Sequence, residues 1–133
     1  MVYNIDNMKE KYIPNVTDIK ILVTVEFLND LGYYPLPQGV LKILSGVIDF
    51  ETKDFLECPT FQTIISYNSK KISRSILLLV RYCYLEKKYD EKTNELYLKM
   101  GERGKGFLLS YRKHHKLNYK KHQKTEKRTI VKI

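Results

Sequence analysis

Residues 68–101, NSKKISRSILLLVRYCYLEKKYDEKTNELYLKMG, limit what this chain can fold into more than any other part of it. The apolar residues change period along the way. Ile72, Ile76, Leu79, Val80 and Cys83 return at helical spacing and define one broad apolar face, so a helix is expected from Asn68 or Ser69 to about Tyr84. Residues 85–89 and 96–100 then alternate with the period of a strand, on either side of the polar run Asp90-Glu91-Lys92-Thr93-Asn94-Glu95, and that pattern is a β-hairpin. A helix that passes directly into a hairpin gives a mainly α fold with a small β-hairpin (α+β class), in the order of a winged helix or winged helix-turn-helix.

The rest of the chain supplies helices for that hairpin to lean on. Residues 1–16 are weakly patterned, contain Pro14 and read as an N-terminal arm. Thr17 or Asp18 stands as the cap of a helix over 18–31, with Ile19, Leu22, Val23, Phe27 and Leu31 at helical spacing and Gly32 as the stop. The β-branched run Val23, Thr24, Val25 lowers its propensity, so tertiary packing has to hold it. Pro35 and Pro37 punctuate a turn, and a second helix is expected from Pro37 or Gln38 to Leu44, with Val40, Leu41 and Leu44 inward and Ser45-Gly46 ending it. Residues 47–57 read as an exposed loop with one helical turn, in which Asp49, Glu51, Asp54 and Glu57 are solvated and nothing orders them. After Pro59, the spacing of Phe61, Ile64 and Ile65 predicts one short helix packed on the core. Phe107, Leu108 and Tyr111 predict a last helix over about 104–115. The domain so outlined covers 17–117, leaving 118–133 as a basic tail.

Charge separates the two halves. Residues 1–67 carry 5 Lys/Arg against 9 Asp/Glu, whereas 68–133 carry 19 against 6, so the net +9 arises wholly beyond the start of the amphipathic helix. A basic excess that begins there points to a polyanionic partner, with nucleic acid ahead of a membrane surface. No apolar run approaches the roughly 18 residues of a membrane span. The first residues, MVYNIDNMKEKY, lack the apolar core of a signal peptide, which implies a cytoplasmic protein, nucleoid-associated if DNA-bound. Cys58 and Cys83 have no short paired spacing and read as reduced core thiols.

The candidate site is the start of the helix over 68–84. Its free backbone N–H groups and positive dipole end lie beside Lys70, Lys71 and Arg74, with Ser69 and Ser73 adding hydroxyl donors, which is the composition of a phosphate clamp. Arg81 extends that face, and Lys87 and Lys88 on the first hairpin strand are second-tier contacts. Arg112, Lys113, Lys120 and Lys121 extend the cationic surface toward the C-terminus, where Tyr111 and Tyr119 are interleaved with cations and suit stacking on exposed bases. Neither a nucleophile–base arrangement nor a usual metal-ligand set stands out, so no catalytic residue, metal or cofactor is assigned. GERGKG, over 101–106, lacks the Walker spacing and reads as strand exit and helix start. His114, His115 and His122 read as solvated or phosphate-adjacent side chains.

These same residues carry a family resemblance. The run 17–109, most of the chain, resembles the winged-helix RQC domain that follows the helicase core in RecQ helicases. The similar features come in order: the first helix, LPQGVLKILSG (36–46), TIISYN (63–68), the amphipathic helix closing in RYCYLE (81–86), and LYLKMGERG (96–104). No helicase core or four-cysteine zinc module precedes them, so the resemblance implies a stand-alone RQC-like DNA-binding protein without ATP-driven unwinding. It also implies that Ser69, Lys70, Lys71, Ser73 and Arg74 contact the phosphate backbone of duplex ends, forks or junctions. Some family members use an aromatic residue at the wing tip to split a base pair; here the tip is acidic and polar. Two other functions fit the same features. A sequence-specific transcriptional regulator would dimerise through the last helix, and a protein-interaction module would keep the basic tail for solubility or RNA.

Overall fold

Asn15, not Thr17 or Asp18, opens the first helix. Its side chain accepts the Asp18 N–H at 2.8 Å while the Asp18 carboxylate accepts the Asn15 N–H at 3.1 Å, a reciprocal capping box that satisfies two donors at once. The chain is described here by a computed structural model covering residues 12–64 and 69–114. In it α1 runs Val16–Asp30 and packs against every other helix and the hairpin. Being enclosed on several sides, α1 shows no single apolar stripe: polar Asp18 and Thr24 are as deeply buried as its aliphatic residues. Ile21, Leu22, Val25 and Leu28 are its buried apolar side chains, whereas Ile19, Val23 and Phe27 are only half-buried and Leu31 is exposed.

α2 spans Pro37–Ser45, with Pro37 in the first turn, where a missing N–H costs nothing. Its Val40, Leu41, Ile43 and Leu44 are buried, and Gly46 ends it in the left-handed region at φ 78°. The short helix expected after Pro59 does not form. Gln62 N–H instead reaches the Ile43 carbonyl at 2.9 Å and Ile64 N–H the Leu44 carbonyl at 3.0 Å, while Phe61 and Thr63 N–H close single turns on the Cys58 and Thr60 carbonyls, so alternate amides serve the end of α2 and no helix propagates. Ile65 lies outside the described residues. The acidic loop does contain one helical turn, Lys53–Phe55, but it is ordered. Lys42 Nζ lies 2.9 Å from Asp49 and 2.6 Å from Glu51, and the Asp49 carboxylate also accepts the Glu51 and Thr52 amides at 2.9 and 3.0 Å.

α3 covers Ser69–Arg81 and buries Ile72, Ile76 and Leu79. It ends before the expected Tyr84. Cys83 takes a left-handed conformation at φ 68°, and Tyr84 N–H returns to the Leu79 carbonyl at 2.8 Å. This turn sends Tyr84 and Leu85 into the core and leaves Cys83 exposed, so only Cys58 is a core thiol.

β1 (Leu85–Asp90) pairs antiparallel with β2 (Glu95–Met100), Leu85 opposite Met100 and Asp90 opposite Glu95. On its other side β2 is held by the Leu98 N–H, which donates to the Pro35 carbonyl at 2.8 Å, and by the Met100 N–H, which donates to Asn29 Oδ1 at 2.9 Å. α4 (Glu102–His114) begins as soon as β2 ends. Gly101 and Gly104 permit that sharp entry: a Cβ at Gly101 would lie 2.7 Å from the Cys83 carbonyl oxygen, and one at Gly104 would collide with that of Tyr84. Arg103 seals the junction, donating to the Tyr82 carbonyl at 2.9 Å with its guanidinium 4.4 Å over the Tyr84 ring.

Tyr12, placed by its sequence in the arm, belongs to the body. Its ring stacks on Tyr82 at 4.7 Å, its carbonyl accepts the Tyr84 hydroxyl at 2.6 Å, and its own hydroxyl donates to Asp18 at 2.6 Å. Burial first, then the Asp18 hydrogen bond, raises the Tyr12 hydroxyl far above the ordinary tyrosine range. Four α-helices and one two-stranded antiparallel hairpin among the described residues make this an α+β fold. None of these helices is long and apolar enough to cross a membrane.

Candidate nucleic-acid interface

The two faces of α3 have opposite chemistry. Ile72, Ser75, Ile76 and Leu79 face the interior, while Lys70, Lys71, Ser73, Arg74, Leu77 and Arg81 are exposed and Ser69 is half-buried. The helix sequence SKKISRSILLLVR contains four cations and no acid. Nothing within it neutralises the positive potential that its first turn adds to that of the side chains. Lys70 and Arg74 are one turn apart, so a single backbone strand can engage both while the helix N-terminus faces the phosphates. The sequence-based candidates Ser69, Lys70, Lys71, Ser73, Arg74 and Arg81 are therefore carried by one element, all but Ser69 exposed. Asn68, the alternative cap, lies outside the described residues.

The hairpin contributes less than its composition suggests. Strand alternation places Lys87 on the face shared with buried Leu85 and Leu98, whereas Lys88 is on the opposite face, 3.5 Å from Glu86. Both are exposed, but a ligand lying on one face of the hairpin meets only one of them. At the tip, Asp90 accepts the Lys92 N–H at 2.9 Å, and the Tyr89 hydroxyl is hydrogen-bonded to Asn94.

The α4 candidates divide. Both terminal guanidinium nitrogens of Arg112 engage the Glu26 carboxylate on α1, and both side chains are about three-quarters covered. Arg112 is thus a clamp between helices rather than a surface contact, because Glu26 offers a bidentate partner that water and phosphate must compete against. Lys113 is exposed in the last turn. Tyr111 lies against Phe107 with ring centroids 6.2 Å apart. His114 is exposed and its ring nitrogen meets the Ser110 carbonyl at 2.9 Å. Lys120, Lys121, Tyr119, His115 and His122 lie outside the described residues.

Helical spacing puts Lys70, Arg74, Arg81 and either Leu77 or Leu78 on one face, and it is Leu77, 56% exposed, that borders the cations there, while Leu78 is half-buried. Two features had escaped the sequence reading. Lys42 and the acidic loop form a fixed cluster: the hydrogen bonds that the Lys42 ammonium donates to Glu51 and Asp49 raise it above its ordinary value, and Lys42 in turn holds Asp49 below the usual carboxylate range. Tyr33, Tyr34, Gln38, Lys42, Thr52 and Phe55 line a groove of about 280 Å³ that no α3 or hairpin residue enters. Both depend on how the loop folds back. Comparisons of the chain with family models, with curated proteins and with solved structures find no match.

Proposed function

We propose that this chain is a winged-helix module of RQC type that binds DNA through the N-terminal half of α3 and contacts backbone rather than prying strands apart. The order of elements supports the fold: α1, an extended segment hydrogen-bonded to β2 through Pro35, α2, α3, then the hairpin as wing and α4 behind it. The observation that carries the function is the acid-free exposed face of α3, with Lys70, Lys71, Ser73 and Arg74 grouped at the positive end of the helix dipole. The tip argues against strand separation, since Tyr89 is tied to Asn94 and the turn is acidic and polar. Duplex ends, forks and junctions are the expected substrates, with RNA as the comparison ligand.

Salt dependence tests this directly. Each phosphate contact released contributes about 0.9 to the slope of log K against log salt, so replacing Lys70, Lys71 and Arg74 together by Ala should flatten it by about 2.7. An unchanged slope in the folded triple variant refutes the assignment. A second reading, a protein-docking module, draws on the acidic loop, where Phe50 is 82% and Ile48 65% exposed although the backbone around them is ordered. Its signature is the absence of salt-sensitive DNA binding at low ionic strength.

A further inference from the structure

The exposed face of α3 is not uniformly polar. Placed at 3.6 residues per turn, Leu77 points about 160° away from Leu79, the residue most deeply buried on the helix. The side chains nearest to it around the helix are Lys70, Ser73 and Arg81, with Arg74 and Val80 about 60° away, and Arg74 and Arg81 lie about 4.5 and 6 Å from it along the axis. Of the other aliphatic residues of α3, Ile72, Ile76 and Leu79 are buried and Leu78 and Val80 half-buried. Leu77 thus borders the cations of α3, which lie to one side of it around the helix, and stands between Arg74 and Arg81 along the axis, within reach of a ligand that binds them.

We propose that Leu77 reads the 5-methyl group of a thymine in the major groove of B-form DNA, a reading that rests on α3 being the nucleic-acid-binding helix. The major groove admits an α-helix, and the thymine methyl is the apolar group on its floor. Arg74 and Arg81, before and after Leu77, face the polar base edges and phosphates that adjoin that methyl. An RNA duplex offers neither feature, because its major groove is deep and narrow and uracil has no methyl. Leu77 makes A·T pairs favoured at one position of the footprint and gives the module a means of preferring DNA over RNA.

The experiment compares duplexes of one sequence containing thymine or uracil at every thymine position, measured by fluorescence anisotropy at fixed salt with the wild type and Leu77→Ala. The wild type should bind the thymine duplex more tightly by about fourfold per methyl contacted, the equivalent of about 0.8 kcal/mol. Leu77→Ala, whose fold is checked by circular dichroism, should lose that ratio while keeping its salt slope. Equal binding of thymine and uracil duplexes by the wild type overturns the proposal, as does a folded Leu77→Ala that keeps the preference. Absence of any duplex binding, by contrast, overturns the nucleic-acid reading of α3 itself and this inference with it.

Discussion

The carbonyl oxygen of Tyr84 occupies the space where a Cβ on Gly104 would stand. Two turns of chain, the end of α3 and the start of α4, meet there backbone to backbone. Gly104→Ala should therefore destabilise the fold by about 2 kcal/mol, in the range of overpacked cores, because a backbone carbonyl cannot swing aside. Gly106, two residues on, meets nothing within 4 Å. Gly106→Ala should raise stability by about 1 kcal/mol through helix propensity alone. Urea denaturation of the pair checks both signs.

Cys83 closes α3 with the left-handed conformation that Gly32 and Gly46 supply at the ends of α1 and α2. A side chain is disfavoured there by about 1 kcal/mol. Cys83→Gly should accordingly be stabilising by that order, read as a higher denaturation midpoint, and should leave α3 intact by circular dichroism.

Arg112→Ala should cost about 1.5 kcal/mol of stability, the scale of a charge-assisted hydrogen-bonded pair, and should leave the salt slope of DNA binding unchanged. A double-mutant cycle with Glu26→Gln should recover most of that loss as coupling. A reduced slope without a stability change would return Arg112 to the surface contacts.

Two aspartates respond to pH with opposite signs. Hydrogen bonding to Lys42, aided by the Thr52 and Glu51 amides, lowers the folded-state value of Asp49. Its contribution is complete above the ordinary carboxylate value of about 4 and is lost as pH falls through the lowered one. Asp49→Asn should therefore be less stable than the wild type at neutral pH, with the gap closing in acid. Burial, with Glu26 adding to it, raises Asp30 at the end of α1. Asp30→Asn should be the more stable form at neutral pH, an advantage that shrinks as pH falls through the raised value and vanishes below about 4. Thermal melts across that range separate the two.

α3 was legible from its residues because it is half in and half out, and amphipathicity is the signal that periodicity detects. α1 was legible as a helix but not in its inward face: enclosed by β2 and the other helices, it buries Ile21 and Val25 as completely as Leu22 and offers no contrast to read. Its cap was missed because the box departs from the usual pattern, with Asn15 in place of Ser or Thr and Asp18, one carbon shorter than glutamate, closing it. The segment after Pro59 carries helical spacing in Phe61 and Ile64, yet its Gln62 and Ile64 amides are claimed by the end of α2, a competition no local window contains. In the site, exposure of Lys70 and Arg74 followed from the pattern of α3. Arg112 did not, since its partner Glu26 is 86 residues away.

Because Pro35 flanks β2, the hairpin has one open edge among the described residues, and it belongs to β1. An unpaired strand edge invites a second molecule to extend the sheet, and charged side chains are the usual deterrent. Lys87 and Lys88, projecting from opposite faces of that edge, guard it from both sides. A polyanion drawn to either lysine would weaken that guard, so the protein's resistance to self-association should be greatest when it is free and should decline as phosphate occupies the hairpin.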